Sequence, residues 1–159
     1  MTTDPTDSVP MPSRERFVTL VTRLGGATAA AVWYDELVER YSEPHRRYHT
    51  VEHLAECLDA FDRLRAACSR PELCEWALWF HDAVHGPGDD DEEQSADLLA
   101  RMALEAGIDA VPTAGARELV LATRHAETGC TDCRTVGFAP GAPPSACYGC
   151  HQPDYDMAT

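Results

Sequence analysis

The chain has no lysine: its thirteen basic residues are all arginine, set against 27 acidic ones. The formal net charge of −14 excludes a general affinity for nucleic-acid polymers or anionic membranes, because phosphate binding needs a positive field. A small phosphorylated substrate is not excluded, since bound metal ions reverse the local sign. No apolar run approaches about 18 residues, the length that crosses a bilayer as a helix. The N-terminus lacks a basic region followed by a hydrophobic stretch, so the expectation is a soluble, cytoplasmic protein with no membrane partner. Strand alternation and internal repeats are also missing. Cysteine is not scarce: seven are present, an odd count. Cys57, Cys68 and Cys74 fall in helical apolar patterns and are expected as buried thiols of a reducing compartment.

The chain's 159 residues, 44% of them hydrophobic, make one domain with a real core. Residues 1–13 are polar, proline-rich and aperiodic, which predicts a disordered lead-in. Ser13 can cap a first helix over Arg14 to Leu24, where Phe17, Leu20, Val21 and Leu24 recur at helical spacing before Gly25 and Gly26 end it. A second helix is expected from Thr28 to Tyr41, and Pro44 breaks the path after it. Thr50 can cap a third, with Glu52 suiting the macrodipole and a core stripe running from Leu54 to Cys68. Pro71 opens PELCEWALWFHDAVHG, apolar almost all round until Gly86, as expected of a helix in the middle of a bundle. A fifth helix is expected from Glu92 to Ala106 and a sixth from Thr113 to Glu127. The fold class is therefore all-α, a bundle of about six helices over residues 14–126. Residues 127–159, rich in cysteine and proline, are expected to be an irregular tail.

Two histidine clusters could carry chemistry. His81-Asp82 lies in the most apolar segment, where burying an imidazole and a carboxylate is costly unless something satisfies them. A divalent metal would do so; the alternative is a helix-end pair facing solvent near Gly86. In YHTVEHL, His49 and His53 stand one turn apart and project to the same side. Such a pair alone reads more simply as surface or structure. Two clusters in one small helical domain favour a metal site.

The segments RYHTVEHLAECL, WALWFHDAVHGPG, DDEEQSADLL and LVLATRH together resemble the HD superfamily of metal-dependent phosphohydrolases, in particular its small bacterial members. The opening motif is also similar to one in cyclic nucleotide phosphodiesterases, which share the HD architecture. The resemblance implies an HD-type helical bundle that hydrolyses a nucleotide or other small phosphoester through a metal-activated water. One or two divalent ions would be needed, manganese, iron, magnesium or zinc in kind. It also implies that His53, His81 and Asp82 are metal ligands, Asp82 being able to bridge two ions, and that His49 donates a proton to the leaving oxygen. Asp91, Glu92, Ser95 and Ala96 match a family loop, which makes Glu92 a candidate to reach the metal-bound water. Thr123 and His125 match late family positions, and His125 is a candidate for the same cavity. His85 is open to three readings: an extra ligand, a donor behind the ligands, or a cation at a helix C-terminus. Arg46 and Arg47 are candidates to receive a substrate phosphate.

One family element has no counterpart. An aspartate-rich segment supplying a last ligand should follow LVLATRH, but the chain reads TGCTDCRTVGFAPGAPP. Asp132 is the nearest acidic residue, and no residue carries over to the missing position. A degenerate, non-catalytic HD domain is therefore the alternative function. The tail offers a third: Cys130, Cys133, Cys147 and Cys150 form CxxC-x13-CxxC, close to the spacing that binds structural zinc in an interaction module. Against it, such knuckles sit on strand turns, and the tail has little strand pattern.

Overall fold

A computed structural model describes residues 11–124. The described residues are all-α, with six α-helices, one short 3-10 turn and no strand. The order is α1 (Arg14–Arg23), α2 (Ala30–Tyr41), α3 (Val51–Leu64), the 3-10 turn (Arg65–Ala67), α4 (Pro71–Phe80), α5 (Asp91–Ala106) and α6 (Ala110–Leu121).

The apolar segment after Pro71 is the central helix. α4 packs on α1, α3, α5 and α6, and Trp76, Trp79 and Phe80 are wholly buried. Phe17 from α1 meets the Trp79 ring edge-on at 4.9 Å, a favoured aromatic arrangement. Leu99 and Met102 of α5 and Val120 of α6 close the core from the other side of α4. Buried large apolar side chains of this kind contribute about 1.5–3 kcal/mol each. Among the described residues no helix is long and apolar enough to cross a membrane. Cys57, Cys68 and Cys74 are buried, and Cys68 Sγ lies 2.9 Å from Cys74 Sγ.

Local sequence accounts for several helix ends. Ser13 Oγ accepts from the Arg16 amide at 3.1 Å, satisfying one of the orphan donors of α1. Gly107 takes the left-handed conformation at φ +77°, and the Ile108 amide returns to the Ala103 carbonyl at 2.8 Å, the Schellman closure. Thr50 stands at the N-cap of α3 but makes no side-chain cap bond. Its hydroxyl instead bonds the Glu52 carboxylate, which lowers the Glu52 pKa. α2 starts at Ala30, later than expected, because Ala29 sits in the left-handed region at φ 63°. α6 starts at Ala110, earlier than expected, and gives way to turns after Leu121.

The end of α4 matters most for the site. The helix was expected to run toward Gly86, but it stops at Phe80. The amides that would have extended it are bound elsewhere: Val84 N–H to Ser95 Oγ at 3.0 Å, and Gly86 N–H to Asp91 Oδ2 at 3.0 Å. Two side chains of α5 thus draw residues 83–86 out of the helix and into a turn.

Candidate metal centre

His81 and Asp82 emerge where α4 ends, yet they face inward. Their side chains are only 11% and 21% exposed, so the solvent-facing helix-end reading does not hold. Three imidazoles from two segments converge on a single oxygen, Asp82 Oδ2. His49 Nδ1 lies 2.8 Å from it, His81 Nε2 2.9 Å and His53 Nε2 3.5 Å. His49 comes from the loop before α3 and His53 from its first turn, so the four-residue spacing presents both to the end of α4.

Backbone contacts fix these orientations. His81 Nδ1 donates to the Leu78 carbonyl at 2.7 Å, which turns Nε2 toward Asp82, the orientation a metal-ligating imidazole adopts. The Asp82 amide donates to the Tyr41 hydroxyl at 3.2 Å, and that hydroxyl donates to the Trp79 carbonyl at 3.3 Å. Arg46 is buried and donates to the carbonyls of His49, Asp82 and Ala83 and to the Glu43 carboxylate. Its guanidinium holds the framework together with four of its five donors, and its side chain is wholly buried, so it is not open to a phosphate. Arg47 is exposed.

The electrostatics follow from the crowding. Burial opposes charge on Asp82, but the His81 charge and hydrogen bonds from His49 and His53 hold its carboxyl well below the usual range. Burial also opposes charge on His53, yet the bonds to Asp82 and Cys57 raise it to about 9. His81 is likewise raised well above its ordinary value: burial is outweighed by Asp82 and Cys57. A carboxylate flanked by two imidazoles, His53 and His81, whose proton affinity is raised marks a site of negative potential with nitrogen and oxygen donors, suited to a divalent cation.

Cys57 is the site residue that sequence reasoning missed. One turn after His53 on α3, its Sγ lies 3.5 Å from His53 Nε2. Its thiol pKa, which burial would raise, is pulled down to about 7 by His53 and His81. The available signal was the His-x-x-x-Cys spacing, which puts both residues on one helix face. Two groups could therefore hold a metal ion: His49, His53 and Asp82, and His53, Cys57 and His81, the ligand atoms of each lying within 4.8 Å of one another.

The remaining expected residues lie around or away from this centre. His85 is not on a helix, so the C-terminal cation reading fails. Its ring sits 4.6 Å from that of His49 and stacks on His45 at 6.2 Å. Burial, then the nearby His49 and Arg46 charges, lower its pKa. Glu92 turns to Arg124 at 3.7 Å; the neighbouring Asp91 is the carboxylate that reaches the site's edge, 3.5 Å from His85 Nδ1. Thr123 bonds back to the Val120 carbonyl at 2.7 Å. His125, Cys130, Cys133, Cys147 and Cys150 lie outside the described residues. A separate depression of about 420 Å³ is lined by Arg16, Asp62, Arg65 and Glu75, among others. Two of its arginines are paired with its own carboxylates, Arg16 with Asp62 and Glu75, and Arg65 with Glu75.

No protein-family model, curated protein or solved structure significantly matches the chain.

Proposed function

We propose that the chain is a metal-dependent phosphohydrolase of the HD type, acting on a nucleotide or another small phosphoester. The observation that carries this reading is the convergence of His49, His53 and His81 on the one oxygen of Asp82. Three imidazoles and a carboxylate at the end of the most apolar helix each cost desolvation, and clusters of this kind concentrate at functional sites. The donor set fits a borderline divalent cation: neutral imidazoles, a carboxylate, and, for His81, a ring orientation fixed from behind by the Leu78 carbonyl. His53, His81 and Asp82 would hold the ion. When bound, it would neutralise phosphoryl charge and lower the pKa of a water.

The chain's own residues do the rest. Asp82 orients the His49 ring through Nδ1, which leaves Nε2 as the nitrogen that hands a proton to the departing oxygen. Arg46 keeps both segments in register, and exposed Arg47 is the candidate to meet a substrate phosphate. No role is assigned to Glu92.

The test is a phosphatase assay over nucleotides and simple phosphomonoesters with added manganese, on the full chain and on His81→Ala. Turnover that requires metal and vanishes in folded His81→Ala is the expected result. A folded, metal-loaded chain without turnover would overturn the enzymatic reading and leave a non-catalytic domain of the same type.

A further inference from the structure

Cys57 stands apart from the set of oxygen and nitrogen donors above. Its side chain is buried at 3% exposure, and its sulfur lies 3.5 Å from His53 Nε2 and 4.0 Å from Nδ1. The ligand atoms of His53, Cys57 and His81 all fall within 4.8 Å of one another. A tetrahedral ion with metal–sulfur and metal–nitrogen bonds of about 2.3 and 2.0–2.1 Å spaces the two donor atoms roughly 3.5 Å apart. The separation of Cys57 Sγ from His53 Nε2 already has that value. A purely structural thiol at this point in the stripe would be expected to lie among apolar side chains, as Leu54, Leu58 and Phe61 do.

We propose, building on the metal site read above, that Cys57 is itself a metal ligand, so that His53, Cys57 and His81 form a buried two-nitrogen, one-sulfur set with Asp82 beside it. The thiol loses its proton to solvent when the sulfur coordinates. A thiolate donor shifts preference toward zinc, cobalt or ferrous iron and away from magnesium and manganese, which favour oxygen.

The experiment is a cobalt titration of the full chain carrying Cys130→Ser, Cys133→Ser, Cys147→Ser and Cys150→Ser, which removes tail thiolates from the reading. A near-ultraviolet thiolate-to-cobalt charge-transfer band is expected, retained in Cys68→Ser and lost in Cys57→Ser. Zinc affinity should fall by more than about tenfold in Cys57→Ser, with manganese affinity little changed. Should Cys57→Ser not fold, X-ray absorption of the zinc-loaded parent decides instead, one sulfur at about 2.3 Å being expected. Cobalt bound without the band but released by His81→Ala, or zinc with only nitrogen and oxygen neighbours, would overturn the role of Cys57 while leaving the metal site standing. No cobalt uptake at all would overturn both.

Discussion

Arg46 donates from Nη1 to the Asp82 carbonyl at 2.7 Å and from the same atom to the His49 carbonyl at 3.0 Å. One guanidinium thereby ties the loop before α3 to the turn after α4, the two segments whose side chains meet at Asp82 Oδ2. Nη2 reaches the Ala83 carbonyl at 3.0 Å and Nε the Glu43 carboxylate at 3.0 Å. A planar fork of donors serves four acceptors at once, which the point-like ammonium of lysine cannot do. Arg46→Met should therefore destabilise the chain by on the order of 3 kcal/mol, since each buried acceptor left without a donor costs about 1–3 kcal/mol. Urea unfolding checks this, and Arg46→Lys is expected to recover little of the loss. Full stability in Arg46→Met would show that the clamp is dispensable.

Ser95 performs a smaller version of the same task from α5. It is wholly buried, and its hydroxyl is the acceptor for the Val84 amide. Ser95→Ala leaves that amide without its partner at a cost of about 1–3 kcal/mol. Hydrogen exchange at Val84 should speed up in the variant. Because the turn carries Asp82, metal affinity should also fall, by about tenfold or more if this support behaves as supporting bonds at metal sites commonly do. Unchanged exchange at Val84 would mean that the turn is held by other contacts.

The helices were legible because their apolar residues keep a helical period: Phe17, Leu20 and Val21 on α1, and Leu54, Leu58 and Phe61 on α3, are all buried. Where period gives no information, the sequence misleads. α4 is apolar on nearly every side, so nothing within it marks Phe80 as its end; Ser95 and Asp91, from the next helix, set it. The two histidine clusters could be seen singly, but their meeting on one oxygen is a tertiary fact. Cys57 was hidden because a thiol in an apolar stripe looks like any core residue. Arg46 was a candidate for a substrate phosphate because nothing local marks it as buried, and Asp91 and Glu92 are indistinguishable within an acidic run until one bonds Gly86 and the other turns to Arg124.

The late start of α2 carries a prediction of its own. Ala29 holds φ 63°, a region that costs a non-glycine L-residue roughly 1–2 kcal/mol. Ala29→Gly removes the Cβ conflict, though glycine adds freedom to the unfolded chain that offsets part of the gain. A net stabilisation of about 0.5–1 kcal/mol is expected, read as a higher midpoint in urea with an unchanged slope. A lower midpoint would mean that the Ala29 methyl, packed on the core, outweighs the backbone term.

Acidity should move the metal-free chain and the metal-bound chain in opposite directions. In the metal-free chain His53 is raised from 6.5 to about 9, so its contribution to stability is complete below 6.5 and is lost as pH rises through about 9. His81, also raised, has the same sign. Asp82 is held below its ordinary 3.8, so its contribution is present above that value and is lost as pH falls through the depressed folded value. The stabilising charges are thus all in place between about 4 and 6.5 and begin to fail on the alkaline side. Metal binding runs the other way, because imidazoles must give up their protons to coordinate, so affinity should climb across the interval from 6.5 to about 9. Urea midpoints of chelator-treated protein are expected to fall over that interval, while the gain from added zinc grows. A metal-free midpoint that stays flat between those pH values would mean that His53 and His81 do not hold their protons as tightly as their surroundings imply.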